Sequence, residues 1–351
     1  MAKGKLRDSI LCTWYKRLRY VMVNLTIRHS CLGSFNKENI MPVKRLSRYL
    51  SLPCAPSFVT HSAKRTYSTP VLVSYWLGPA FIISCHIGVL LALFTGLSFG
   101  AWMLVAVLYW IRMLAITGIY HRLLTHRAYR APAAIKWIGS LVATTAGQMG
   151  PSWWKGHHND HHLYSDQRHD PHNSTLGFWW SHQQWLLSPN FLPSRLPADI
   201  EQDPVLKAID RLHFLPPLLL AIATYAFGGL EYLAAFFVST TLLFHGVATV
   251  NSLCHKFGNQ PFISNDNSRN NALVAFLTLG EGWHNCHHAF PWSARQGITL
   301  MHSSSSPAQV KYLPDPTYRF IKVLQRLGLA SQLKHPTQKE MLPAATVVAK
   351  Q

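Results

Sequence analysis

Three groups of histidines carry the chemistry this chain has to offer: His121-Arg-Leu-Leu-Thr-His126, His157-His158-Asn-Asp-His161-His162 and His284-Asn-Cys-His287-His288. Neutral imidazole is the commonest protein ligand for transition metals. Residues at i, i+3 and i+4 share one face of a helix. His158, His161 and His162 therefore point one way, and His284, His287 and His288 do the same. His121 and His126 are five apart, which fits a straight helix less well and predicts a pair straddling a helix end. Eight of these histidines, leaving out His157, exceed what one tetrahedral zinc site needs, so two metal ions are the natural reading. Cys286 lies inside the third cluster but projects off the face its histidines share.

Two long apolar stretches must position these groups. From Val71 to Ile111 there is no Asp, Glu, Lys or Arg, enough for two membrane spans of about 20 residues each. The turn signal Thr95-Gly-Leu-Ser-Phe-Gly100 divides it, which predicts helices near 72–94 and 98–119, with Arg112 near the end of the second. From Leu212 to His255 the only such residue is Glu231, and Phe227-Gly228-Gly229 makes the break, predicting helices near 212–228 and 231–252. Both hairpin tips lack Lys and Arg, while basic residues gather before, between and after the hairpins. The positive-inside rule places those basic regions in the cytosol, or in the stroma or matrix of an importing organelle. All three histidine clusters then lie on one side, as a shared site requires. Between the hairpins, residues 135–150 predict an amphipathic helix lying on the membrane. Trp153, Trp154, Trp179, Trp180 and Trp185 suit a bilayer interface or the wall of an apolar channel.

Composition agrees with a membrane protein. Of 351 residues, 48% are hydrophobic and only 13% charged, yet Lys and Arg outnumber Asp and Glu 33 to 14, a formal net charge of +19. Such a basic excess serves either nucleic acid or a membrane surface, and the apolar stretches decide for the membrane. Six cysteines show no CxxC and no framework spacing, and read as free thiols. Residues 1–70 are basic, with only Asp8 and Glu38 as acids, and are rich in Ser and Thr toward their end. That composition fits an organelle transit peptide or a disordered tail beside an anionic leaflet.

The clusters resemble the HxxxxH, HxxHH, HxxHH boxes of the membrane-bound fatty acid desaturases. The likeness extends to the flanks: Gly118-Ile-Tyr-His-Arg-Leu-Leu-Thr-His-Arg127, Asp170-Pro-His-Asn-Ser174, Gly177-Phe-Trp-Trp-Ser-His182, Asn251-Ser-Leu-Cys-His255 and Gly280-Glu-Gly-Trp-His-Asn-Cys-His-His-Ala-Phe-Pro291 are similar to stearoyl (delta-9) members in order and spacing. It covers about residues 72–330, within a domain of 71–330 followed by a C-terminal tail of 331–351. The resemblance implies an all-α integral membrane fold. Four transmembrane helices in two hairpins would carry a cytosolic helical cap with a histidine-rich di-metal site. It implies two Fe2+ ions. His121, His126, His158, His162 and His287 would hold one; His161, His255, His284 and His288 would hold the other, with Asn251 holding a water. His255 gains its role only from the Asn-Ser-x-x-His setting.

An unactivated methylene needs an oxidant made from O2 and reducing equivalents, which is metal chemistry. The implied activity is therefore O2-dependent insertion of a cis double bond, delta-9 by resemblance, into a saturated acyl chain. No His-Pro-Gly-Gly haem motif occurs, so electrons would come from a separate cytochrome b5 or ferredoxin. Animal acyl-CoA members carry Arg-Asp before the second box, basic residues after Asp-Pro-His-Asn-Ser, and a Trp three residues before the helix 4 Asn. This chain has Gly156-His157, Thr175-Leu176 and Ala248. Gly156 before the second box and Ser293-Ala-Arg-Gln-Gly297 after the third look more like bacterial and acyl-lipid members, and Lys155 is a candidate to replace part of the lost charge. Trp153, Trp154, Lys155 and Asn173 are the candidate substrate contacts; Asp160, Asp166, Asp170 and Glu281 are candidates to hold imidazole N–H groups. His157, His169, His172 and His182 are expected to hydrogen-bond or meet solvent. The endoplasmic reticulum is the expected membrane, or a plastid or mitochondrial one where residues 1–70 act as a transit peptide. Two rival functions share the histidines: a membrane di-iron hydroxylase or ketolase, and a histidine-rich metal-binding or transport protein.

Overall fold

The chain is described by a computed structural model covering residues 69–303 and 306–344. The expected N-terminal tail or transit peptide lies almost wholly outside the described residues. Helix α1 (Thr69–Gly88) and the short α2 (Leu91–Thr95) lead into α3 (Phe99–Ala115). This runs without a break into a π-helix (Ile116–Thr125), so the second predicted helix extends through the first histidine box. Next come α4 (Ala133–Thr144), α5 (Pro151–Tyr164), α6 (Phe178–His182), α7 (Ala198–Glu201), α8 (Pro204–Arg211) and α9 (Leu215–Leu253). Then follow α10 (Ala272–Leu277), α11 (His284–Ala289), β1 (Ile298–Ser303), β2 (Ser306–Tyr312), α12 (Pro316–Arg326) and α13 (Gln338–Met341).

Three helical stretches are long and apolar enough to cross a membrane: Tyr75–Thr95, Phe99–Thr125 and Leu215–Leu253. The last has 39 residues. At 1.5 Å per residue it would span nearly twice the roughly 30 Å of a hydrocarbon core. Its backbone leaves the helical region at Gly228 (φ −146°, ψ 22°) and Gly229 (φ 66°, ψ −151°). The glycine pair read from sequence as a turn is thus a kink between two helical halves.

Polar groups tie the apolar helices together. Ser98 caps α3 by accepting from Ala101 N–H, and its own N–H donates to Glu231 at 2.6 Å, joining the two predicted hairpin tips. Arg112 is buried on α3, where an unsatisfied cation would be costly. Its guanidinium donates to Leu108 O, Thr145 O, Thr240 Oγ1 and Ser239 Oγ, welding α3 to α9 and to the end of α4. Helix α4 is the core of the expected surface helix. It has 12 residues, too few to span, and it buries Ser140, Ala143 and Thr144 while exposing Ile138 and Leu141.

One expectation needs correction. The fold is mostly but not wholly helical, since β1 and β2 form an antiparallel hairpin. Its first strand alternates, burying Ile298 and Leu300 with Thr299 between them, which is the two-residue period of a half-buried strand. The described part of the C-terminal segment is laced into the domain. Arg130 and Ser331 exchange backbone hydrogen bonds, Lys334 bonds Ala128 and Ala294, Ile263 donates to Ala344 O, and Met341 is buried.

The kink generates a prediction. Gly229 lies in a region of φ/ψ essentially reserved for glycine, and nothing lies within 4 Å of where its Cβ would be. Gly229→Ala therefore tests backbone strain alone, about 1–3 kcal/mol. A melting temperature in detergent lower by a few degrees is expected; an unchanged one would mean that the helix does not kink there.

Candidate metal centre

The first box owes its geometry to the π-helix. Every residue from Ile116 to Thr125 is buried, and His126 N–H donates to His121 O at 3.1 Å, an i→i+5 bond. Such a turn brings residues five apart onto one side, and π-turns are frequent at functional sites. The His121 and His126 rings sit 4.8 Å apart between centroids. The pair does reach a helix end, with His126 as its cap, but the wide turn is what aligns it.

The second box rides on α5, whose start is pinned from outside. Asp210 accepts the N–H groups of Ser152 and Trp153 at 2.8 and 3.3 Å, and Tyr75 Oη donates to it. Burial pushes the Asp210 carboxyl up to about 6. A Cβ at Gly150 would come within 2.4 Å of Asp210 Oδ1, so only glycine admits this approach. The third box is α11, and His255 follows directly on the end of α9.

These elements bring nine imidazoles into two sets. His121, His126, His158, His162 and His287 form one; His161, His255, His284 and His288 form the other, the ligand atoms of each lying within 4.8 Å of one another. The histidines of one helix face are thus shared out: His158 and His162 go to the first set and His161 to the second, while α11 sends His287 to the first and His284 and His288 to the second. In the first set the Nε2–Nε2 separations are 2.8 Å (His126–His158), 3.1 Å (His158–His162), 2.8 Å (His162–His287) and 3.1 Å (His121–His287). In the second they are 3.3 Å (His161–His288) and 3.0 Å (His255–His284). Neighbouring nitrogens about 2.1 Å from a common ion stand roughly 3 Å apart.

The opposite ring nitrogens confirm the polarity of the site. His161 Nδ1–H donates to Asp170 at 3.0 Å, His255 Nδ1–H to Asp166 at 2.8 Å, His288 Nδ1–H to Asp266 at 2.5 Å, and His121 Nδ1–H to Glu281. Burial holds His126, His158, His161, His162, His284 and His287 well below the usual imidazole range, so these rings are neutral. A neutral ring that donates from Nδ1 has a bare lone pair on Nε2. The bare nitrogens of His161 and His288 therefore face each other across 3.3 Å, an arrangement that repels without a cation between them. Gln296 fits the same pattern. Its amide lies 3.1 Å from His287 Nδ1, and its buried Oε1 has no partner as oriented. Turned over, the amide presents that oxygen to the His287 N–H, and the two orientations have the same shape. The donor set fits two transition-metal ions.

The carboxylates are themselves held. Burial opposes ionisation of Asp266 and Asp166, but the hydrogen bonds to His288 and His255 outweigh it and keep both well below the ordinary carboxylate range. For Asp170, burial wins and raises it. Glu281 bridges His121 to Arg122, which also reaches Asp315 at 3.0 Å and Ala294 O at 2.8 Å.

The remaining expectations fare unequally. Asn251 lines an apolar cleft beside the histidines, with Met113, Ile116, Val247, Val250 and Trp154. Trp154 stacks on His158 at 4.9 Å, but Trp153 belongs to a separate cluster with Trp185 and Phe191 and donates to Phe191 O. Lys155 is buried, its ammonium donating to Leu124 O and Asp199, both at 2.6 Å, so it offers no charge to a substrate. The Asn173 amide is committed to a turn, bonding Gln167 O and Thr175 N–H. Asp160 accepts from Ser194 and meets no imidazole of the two sets. Asp266 and Gln296 were missed: one sits in the loop after α9 and the other beyond the third box, with no periodic signal to mark either. His157 bonds Trp153 O and Asn190 O, as expected of a packing residue, and His172 lies against His161 and Asp170.

Partners of coordinating imidazoles typically tune metal affinity 10–100-fold. Asp266→Ala is therefore expected to weaken metal retention by about that factor, whereas Asp160→Ala, which loses only the Ser194 contacts, retains metal. Metal analysis of the two purified variants at fixed free metal checks this; equal loss or equal retention would refute the assignment.

Residues 97–313 match the family model for fatty acid desaturase. The chain is similar to an sn-1 stearoyl-lipid 9-desaturase of Anabaena variabilis, 36% identical over 271 residues that cover 76% of this chain and 96% of the relative. It also resembles the chloroplastic palmitoyl-monogalactosyldiacylglycerol delta-7 desaturase of Arabidopsis thaliana, 33% identical over 74% of this chain and 69% of the relative. An acyl-CoA C20 Delta5-desaturase of Anemone leveillei is 36% identical over 64% of this chain and 72% of the relative. With its boxes in place and its histidines gathered into two metal-binding sets, this chain belongs to the fatty acid desaturase family of oxidoreductases.

Proposed function

We propose that this enzyme is a di-iron delta-9 desaturase that acts on a saturated acyl chain carried by a membrane lipid. What carries this reading is the pairing of five- and four-imidazole sets beside an apolar cleft. Two iron ions held there would supply O2 activation with two electrons from an external donor, cytochrome b5 or ferredoxin. The balance is one acyl CH2–CH2 unit, O2, two electrons and two protons giving one cis CH=CH unit and two waters. The protein's share is positioning. Asp166, Asp170, Asp266 and Glu281 orient imidazoles. Met113, Ile116, Val247 and Val250 offer an apolar wall for the chain and keep water away, and Asn251 presents an amide to the cleft for a water ligand.

Packing supports a lipid-borne chain over acyl-CoA. A Cβ at Gly156 would meet Arg195 O at 2.7 Å, so no side chain fits where acyl-CoA members place an arginine. His157 is committed to two carbonyls and Lys155 to Asp199. None of these groups is placed to bind phosphates. Relatives named stearoyl-lipid 9-desaturases, from Anabaena variabilis and Synechocystis, support the same choice. In the membrane, the kinked α9 counts as two spans, giving four in all with the histidines on the cytosolic or stromal side. The membrane would be the endoplasmic reticulum or, with chloroplastic relatives in view, a plastid one.

Expression in yeast lacking its own delta-9 desaturase, with a ferredoxin system supplied in parallel, tests the proposal. Cis-9 monounsaturates are expected with the wild type, falling at least about 100-fold in a His161→Ala/His287→Ala variant. Purified protein in vesicles of saturated phospholipid or galactolipid, supplied with O2 and with reduced ferredoxin or cytochrome b5, is expected to desaturate them and to leave free acyl-CoA unchanged. Hydroxylated chains would move the assignment to a hydroxylase, another double-bond position would overturn delta-9, and turnover of acyl-CoA alone would overturn the lipid substrate.

A further inference from the structure

A second histidine cluster lies outside the metal centre, among the apolar helices. His86 is on α1, His245 on α9 and His182 on α6. His86 Nε2 is 3.1 Å from His245 Nε2, His245 Nδ1 is 2.9 Å from His182 Nε2, and His182 Nδ1 is 2.9 Å from Ser252 Oγ. Each end of this chain stops on a backbone carbonyl: His86 Nδ1 is 2.7 Å from Ile82 O, and Ser252 Oγ is 3.0 Å from Ala248 O. Phe244 and Phe178 pack against the rings. The titratable groups that act on His182 and His245 are the neighbouring imidazoles of the chain itself. Ionisable groups at membrane depth are costly and commonly functional.

The arrangement does not suit a metal. His245 turns a different nitrogen to each neighbour, so the rings stand in line rather than converging. Proton counting gives a different answer. The chain has five contacts, each needing one hydrogen. Three neutral imidazoles and one hydroxyl supply only four, so one contact is always empty. A single added proton fills it. That proton can reside on any of the three rings with all five hydrogen bonds kept, and it moves between rings by shifting along an N–H···N bond already made. We propose that His86, His245, His182 and Ser252 form a one-proton relay within the membrane region, a proton-binding site distinct from the metal centre. Burial and the facing His245 ring push His182 down to about 4. One end of the relay is Ser252, next to Asn251 on the cleft. On the desaturase reading above, which only this role rests on, the relay stores a proton for a reaction that takes up two per turnover.

The test uses full-length protein loaded with zinc, a diamagnetic substitute, in nanodiscs and labelled with 15N-histidine. Ring nitrogen shifts would be followed between about pH 5 and 9, the range in which imidazoles titrate. The three rings are expected to shift at one common midpoint, together taking up one proton, as coupled groups do. In His245→Phe, His86 and His182 are expected to lose that common midpoint while zinc content stays unchanged. Separate midpoints in the wild type, or three rings neutral throughout, would overturn the relay and leave a static clasp. Where the variant fails to fold, the wild-type titration decides alone. Neither outcome touches the desaturase assignment, since no substrate is present.

Discussion

Lone-pair repulsion is the constraint on which this structure depends. Nine imidazoles are packed in two groups with facing ring nitrogens about 3 Å apart, and burial holds six of the rings neutral. No apolar core tolerates that on its own, because each nitrogen has given up water without gaining a donor. The surrounding architecture answers in two ways. Carboxylates behind the rings take up their N–H groups and fix which nitrogen faces inward, and the inward nitrogens then become a ready place for cations. Second-layer groups continue outward: Glu281 leans on Arg122, Arg122 on Asp315, and Asp315 on the backbone of Gln296 and Gly297. In this way the C-terminal half of the domain is tied to the first box.

The apolar helices serve that centre from below. Helices α3 and α9 end in or beside ligand-bearing turns, and Arg112 locks their separation through neutral partners. The cleft lies between them, so the same helices that are apolar and long enough to cross a membrane also wall an apolar cleft beside the imidazoles. Because α5 begins on Asp210 and Asp210 accepts from Tyr75, the second box is referenced to the first helix as well.

Much of this was legible in the amino-acid sequence, for definite reasons. Histidines at i, i+3 and i+4 announce themselves, since one helix turn decides where they point. His255 was legible only through its neighbours in Asn251-Ser-Leu-Cys-His255, a resemblance rather than a geometric signal. Asp166, Asp170 and Glu281 were found because they lie within a few residues of a box. Asp266 and Gln296 come from segments that only tertiary folding brings alongside, and nothing local distinguishes them. Proximity also misled. Lys155 and Asp160 sit in or next to the second box, yet both point away from the cluster, toward Asp199 and Ser194. The β-hairpin was overlooked because its inward alternation is only a few residues long, below what a reading tuned to membrane helices registers.

The π-helix has a further consequence. A turn that closes on the fifth residue carries one residue more than its α-helical counterpart, and that surplus is what brings His121 and His126 into the same set of imidazoles. The first box is therefore a counting device. Removing one residue between the two histidines would let the segment relax to ordinary α-helical spacing, yet would leave Arg122 or the ring of His126 displaced from its partners. Adding one would swing His126 out of the cluster by most of a quarter turn. Side chains between the histidines are free to vary in kind to the extent that their burial allows, but their number is not, and the box will resist insertion and deletion more strictly than substitution.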